Sequence, residues 1–242
     1  MIRKIFPYYL IFLLLLCACG NDTPVPLPAD QIVENCLARM QAVSSFHFLI
    51  ERSGTPAFID VNHTLAFRKA EGDFQSPDRA HAEVRLIGPG IVAEVEIISV
   101  AENQWETNLL SGEWQALPPN WGFNPASLFD QEIGIQSILK SDLRELQLRG
   151  YEELDELPGQ LFYALEGQLE GEGLYRLSYG MIGPETLDLT LYVAPDTFEL
   201  YRLNIIHHRP EAEEDTLWQI DFWDFDQPLN IVPPNMSEDT DS

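Results

Sequence analysis

Between Asp30 and Val43 the apolar residues Ile32, Val33, Cys36, Leu37, Met40 and Val43 recur three or four apart, with Gln31, Glu34, Asn35 and Arg39 between them. That spacing predicts an amphipathic helix opened by Asp30. The period then changes to two. Strands are predicted at Phe46–Ile50, at 61–67 with Val61, Leu65 and Phe67 on one side, at His81–Leu86, and at Ala93–Ile97. Gly88-Pro89-Gly90 supplies the turn between the last two. The pattern continues through Gln104–Thr107, a turn at Ser111-Gly112-Glu113, and Trp114–Ala116. Strands joined by such short turns describe an antiparallel meander with one wet face.

Pro118, Pro119 and Pro125 interrupt this run. From Ala126 to Leu146, the positions Leu128, Phe129, Ile135, Ile138, Leu139, Leu143 and Leu146 predict a helical region that Gly134 divides in two. Strands return at 160–166, 187–193, 200–206 and 217–225, with turns at Pro195-Asp196-Thr197 and 209–215. One helix, several strands, a helical insert and more strands make an α+β chain with its helices gathered on one face of a large antiparallel sheet. So many strands should curl strongly and leave a concave apolar space wherever side chains do not fill it.

The N-terminus changes the picture from a fold to an address. Arg3-Lys4 precedes the apolar run Tyr8–Leu16, and Leu16-Cys17-Ala18-Cys19 follows. A basic start, a short apolar stretch and small residues before a cut describe a secretory signal, and a run of about ten residues is too short to span a bilayer, which takes roughly 20. Leu16–Cys19 resembles a bacterial lipobox. The resemblance implies cleavage after residue 18, a thioether from Cys19 to diacylglycerol, and attachment to the membrane through acylated Cys19. Residues 1–18 are thus expected to be a signal peptide, 19–29 a lipidated proline-rich tether, 30–234 a single domain and 235–242 an acidic disordered tail.

Charge and cysteine content narrow the chemistry. The net charge of -25 becomes -27 when Arg3 and Lys4 leave with the signal. So acidic a chain lacks the basic face that nucleic acid requires, and an anionic leaflet would repel it. Of three cysteines only Cys36 remains, so no internal disulfide forms, and its place on the apolar stripe makes it an inert core thiol. There is no Gly-x-Ser-x-Gly elbow, phosphate-binding glycine loop or Cys-x-x-Cys. His207 and His208 are adjacent in a predicted strand and point to opposite faces, while His47, His63 and His81 have no local ligand partner. Neither a cofactor, a metal site nor an enzyme is expected.

Several segments together resemble the LppX/LprAFG-type lipoproteins, relatives of the LolA/LolB and RseB-like half-barrels. They are Ser44-Ser45-Phe46-His47 after the first helix, Gly112-Glu113-Trp114 with Leu117-Pro118, Asn124-Pro125 with Gly134, Ile138 and Leu139, Gly150–Glu153 with Gly159 and Tyr163–Gly167, and the closing stretch Trp218–Pro234. Asp155-Glu156-Leu157-Pro158 departs from the pattern, which has a small residue before its glycine. The resemblance implies a strongly curved antiparallel half-barrel with helices on its concave face and an apolar cavity between them. It also implies an acyl lipid or glycolipid as ligand, carriage within the cell envelope on the extracytoplasmic side, an envelope export partner, and a monomer. Alternation nominates the cavity wall: Val33, Leu37 and Met40 on the first helix; Phe48, Leu65, Phe67, Val84, Leu86, Val95 and Ile97 on the early strands; Leu128, Ile138 and Leu139 in the insert; and Leu189, Leu191, Ile220 and Phe222 on the late strands. The competing readings are an RseB-like binding or sensor module with a filled core, in which Trp105, Trp114, Trp121, Trp218 and Trp223 could form an interaction surface, and an enzyme.

Overall fold

The structure is a computed structural model that describes residues 27–118, 123–209 and 212–236. The segment expected to be signal peptide, Cys19, most of the expected tether, Trp121 and the expected tail from Ser237 onward lie outside the described residues. Helix α1 (Ala29–Ala42) is followed by strands β1 (Ser45–Gly54), β2 (Ala57–Phe58), β3 (Ala66–Gln75), β4 (Arg79–Gly88), β5 (Ile91–Val100), β6 (Asn103–Thr107) and β7 (Trp114–Leu117). A 3-10 turn (Pro125–Phe129), helix α2 (Ile135–Asp142), strands β8 (Leu143–Glu153) and β9 (Leu161–Glu170), and helix α3 (Glu172–Leu177) come next. Strands β10 (Thr186–Val193), β11 (Leu200–His207) and β12 (Thr216–Trp223) close the fold.

All twelve strands share one antiparallel sheet in the order β7-β6-β5-β4-β3-β1-β12-β11-β10-β9-β8, with β2 added beside β3. The first and last thirds of the chain meet through β1 and β12, where Phe48 pairs with Phe222 and Ile50 with Ile220. β7 and β8 form the two free edges, so the sheet is large and curved but not closed. The helices pack on its inner face.

Helix α1 buries Ile32, Val33, Cys36, Leu37 and Met40, the stripe its spacing predicts. Arg39 near its C-terminus reaches Glu199 Oε1 and Asp226 Oδ2, each at 2.6 Å, and so ties the helix to the β10–β11 turn and to the chain leaving β12. Backbone donation from Ser44, then the Arg39 bond, holds the Asp226 carboxyl below its ordinary range. Beside this end the sheet is filled by aromatics. Phe46 lies 4.9 Å from Phe129, edge to face, and 5.0 Å from Phe74, stacked, with Phe222 at 5.4 Å.

Two elements differ from the sequence expectation. The helical insert ends at Asp142, and Leu143 and Leu146 belong to β8. Their three-residue spacing looks helical, but it arises from a bulge: Glu145 has φ 52° and the pairing with β9 shifts between Arg144 and Gln147. An extra residue in one strand turns a spacing of two into three. The strand expected at 61–67 begins only at Ala66; Val61 is exposed, and Asp60 organises residues 60–65 into a loop. Helix α3, six residues long, is too short to register as a helical period.

Candidate functional site

The inner face of the sheet is packed unevenly. Under β8–β10 and the start of β1, the helices and side chains fill the space, and Leu165, Leu187, Leu191 and Val193 are essentially inaccessible. Under β3–β5 they do not. A cavity of about 830 Å³ remains there, open at one end. Its floor is Ile50 on β1, Phe67 and Ala70 on β3, Val84 and Leu86 on β4, Val95 and Ile97 on β5, Ile205 on β11, and Trp218 and Ile220 on β12. Leu128, Ile135, Leu174, Leu177, Met181 and Ile182 cover it. The lining residues Phe58, Ile59, Leu109 and Leu110 are exposed and mark its mouth, and Tyr179 borders both this cavity and a second cleft.

The polar groups around this space are largely engaged. Gln115 Nε2 donates to Glu106 Oε1 at 2.9 Å. Thr107 Oγ1 accepts from the Glu96 backbone N–H at 2.9 Å, and Ser178 Oγ from that of Ile182 at 3.0 Å. Asn108 Oδ1 accepts from the N–H groups of Leu110 and Ser111. The wall therefore offers a ligand apolar surface and shape, with few spare hydrogen bonds.

Of the residues that alternation nominates, Phe67, Val84, Leu86, Val95, Ile97, Leu128 and Ile220 lie on this wall. Val33, Leu37, Met40, Phe48, Leu139, Leu189, Leu191 and Phe222 are buried in the packed part of the core, and Ile138 is buried there beside a second, more polar cleft of similar size. Leu65 is half-buried in the loop before β3. Alternation identifies inward-facing residues; whether an inward residue meets a helix or a void depends on where the short helices rest. Ile50 continues the alternation of Phe46 and Phe48 and was legible in the same way. Leu174, Leu177 and the residues after them were not, because α3 carries no readable period.

The other candidate chemistry has structural partners. Cys36 is buried, and desolvation pushes its thiol up to about 12. His207 faces inward and His208 outward, as their adjacency requires. His207 Nε2 lies 3.0 Å from Glu185 Oε2, while His208 bridges Asp188 at 3.0 Å and Asp215 at 2.9 Å. Glu156, within the departing segment, pairs with Arg202 at 3.2 Å. Among the described residues no group of three or more His, Cys, Asp or Glu is placed to hold a metal ion, and no helix is long and apolar enough to cross a membrane.

Residues 28–231 match the family model described as LppX_LprAFG lipoprotein. Among solved structures, LprF from Mycobacterium bovis superposes with a TM-score of 0.64 at 15% identity, covering 86% of this chain and 99% of that one. LppX from Mycobacterium tuberculosis does so with a TM-score of 0.56 at 17% identity, covering 84% and 97%. A LolA-superfamily protein of Nitrosomonas europaea matches with a TM-score of 0.30 at 12% identity, over 86% of this chain and 96% of that one. No curated protein sequence matches the chain.

Proposed function

The chain belongs to the LppX_LprAFG lipoprotein family, and we propose that it is an exported, membrane-anchored lipoprotein that holds acyl lipid in the hollow under β3–β5 and carries it within the cell envelope. The observation behind this reading is the cavity: about 830 Å³ of space walled by aliphatic and aromatic side chains and open at one end. Apolar ligand pockets run from about 300 to 1,000 Å³, so the hollow is at the large end. Each methylene moved from water to an apolar wall contributes about 0.8 kcal/mol, so a sixteen-carbon chain gains roughly 12 kcal/mol before the cost of ordering it. No polar recognition is needed at that magnitude, in keeping with a wall whose polar groups are already bonded. Carriage in place of catalysis is the reading that such a wall supports.

Anchoring is assigned to Cys19, on the strength of Leu16-Cys17-Ala18-Cys19 after a short apolar run. Two acyl chains on that residue would hold the protein at the extracytoplasmic face. Two measurements test the proposal. Mass spectrometry of the mature N-terminus should find a diacylglyceryl Cys19, and Cys19→Ser should release the protein from the membrane. Residues 20–242, exported and purified without detergent, should yield about one acyl lipid equivalent on solvent extraction. A domain that extracts empty, with the α2 region fully protected against hydrogen exchange, would replace the carrier by a filled scaffold.

A further inference from the structure

Three connections of the sheet meet at the mouth of the cavity: the loop from β2 to β3, the turn from β4 to β5, and the loop from β6 to β7. They share one end because β3 to β7 are consecutive antiparallel neighbours, so alternate connections fall on the same side. The first two touch: a Cβ on Gly88 would meet the Thr64 carbonyl oxygen at 2.8 Å and the Leu65 side chain at 3.1 Å. Phe58 and Leu109 belong to the cavity lining and are also exposed outside it. At the tips Val61 is 96% and Leu110 97% exposed, and Ile91 and Val92 are exposed between them.

Neither apex is a slack loop. Asp60 accepts from the backbone N–H groups of Asn62, Thr64 and Leu65 and from the Thr64 hydroxyl, at 2.7–3.1 Å. Asn108 Oδ1 accepts from Leu110 and Ser111, while the Asn108 N–H and C=O bond Glu113 and Gly112. Such side-chain bonds fix a turn and keep its apex residue pointing outward. The charge pattern sets the region apart as well. Residues 57–65, 87–92 and 107–112 carry one charged side chain, Asp60, in a chain with 39 acidic residues, and that carboxylate is taken up by its own loop.

We infer that these three loops form a membrane-docking rim that enters the interfacial layer of a zwitterionic bilayer and opens the cavity mouth onto lipid. An apolar rim of this kind fits about 5–10 Å into the headgroup and acyl boundary. The strongly acidic remainder of the surface includes Glu213, Glu214 and Asp215 on the β11–β12 connection, beside Gly54 and Thr55 at the same end of the sheet. It would be repelled from an anionic leaflet, so contact falls to the uncharged rim and to a zwitterionic surface. The chain between Cys19 and Leu27 is at most about 28 Å long when fully extended, so an acylated Cys19 would keep the domain within reach of the bilayer. The rim's purpose rests on the lipid-carrying reading above, while its contact with the bilayer can be measured separately.

The test uses the processed, acylated protein (residues 19–242, with Cys17 removed and the Cys19 sulfur blocked by its lipid) reconstituted into phosphatidylcholine vesicles. It carries Val61→Cys, Leu110→Cys or, at the opposite end of the sheet, Asp196→Cys, each labelled with an environment-sensitive fluorophore. Cys36 is buried and stays unlabelled. Nitroxide-bearing phosphatidylcholine should lower emission at positions 61 and 110 at least two-fold and leave position 196 unchanged. Equal, unquenched emission at all three positions overturns the inference, whatever lipid the protein extracts with. Quenching at 61 and 110 in a protein that extracts empty sustains the rim and removes the carrier reading. A dimer in detergent that Val61→Asp with Leu110→Asp converts to monomer would show that the rim is covered by a second copy, and would also overturn it.

Discussion

Replacing Val95 with tryptophan places an indole in the hollow under β5. Val95 lies on the cavity wall and pairs with Val84 across the β4–β5 ladder, so the new side chain has the void in front of it and a firm strand behind. It adds roughly seven non-hydrogen atoms, the room of about seven methylenes, or ~5.6 kcal/mol of transfer free energy at 0.8 kcal/mol each. A bound chain can reroute part of its length, so about half of that loss should be expressed. At 1.4 kcal/mol per ten-fold, binding should weaken roughly 30- to 150-fold. Stability should change by less than about 1 kcal/mol, because the indole enters empty space and displaces no packed atoms. Leu189→Trp is the matched comparison. Leu189 is buried in the filled part of the core, where overpacking costs about 1–3 kcal/mol and leaves the hollow as it was. Titration with a fluorescent fatty acid, lipid extraction and a urea melt on each variant provide the readout. A Val95→Trp protein of normal stability that binds and retains lipid like the parent would refute the assignment of the cavity as the ligand site.

Other consequences are equally direct. Arg52, buried near the end of β1, donates to the carbonyl oxygens of Phe67 at 2.8 Å, Gly54 at 2.8 Å and Thr55 at 2.6 Å, so Arg52→Ala should lower stability by about 3 kcal/mol in urea titration. Bonds to Asp188 first and then Asp215 raise the His208 pKa above its ordinary 6.5. Its contribution is therefore complete below pH 6.5 and is lost as pH rises through the raised value, and His208→Gln should flatten that part of a Tm-against-pH curve; because the pair is exposed the effect is small. Cys36, with its thiol pushed up to about 12, should resist iodoacetamide at pH 8 in the folded protein and react only on unfolding.

Much of the fold could be read from periodicity. The stripe Ile32–Met40 and the alternations at 81–86, 93–97 and 187–193 each correspond to an observed element, because one buried face imposes a period on the residues that line it. Readings failed where the backbone breaks period. The bulge at Glu145 disguised the start of β8 as a helix end, and the Asp60 loop displaced a strand that Val61 and Leu65 suggested. The site was legible in part for a related reason. Val84, Leu86, Val95 and Ile97 were recognisable as inward-facing, but so were Leu189 and Leu191, and the positions of α1, α2, α3 and the 3-10 turn decide which of them meet a void. That is a long-range packing outcome, and no local pattern encodes it.

On the lipid-carrying reading proposed above, the unpaired edges of the sheet bear on how the hollow would take cargoes of different size. In a closed barrel, strand number and stagger fix the diameter, and widening it means breaking a ladder. Here β7 and β8 are not hydrogen-bonded to each other, so no ladder ties the wall formed by β3–β7 to the β8 side, and on that reading an outward bend of this wall would break no inter-strand bond. Bulkier acyl chains would be accommodated by bending a twisted sheet, a soft deformation spread over many residues, while the packed side under β8–β10 stays still. Capacity then becomes an elastic property of one half of the molecule, and the short strand β7, four residues long, is its free margin.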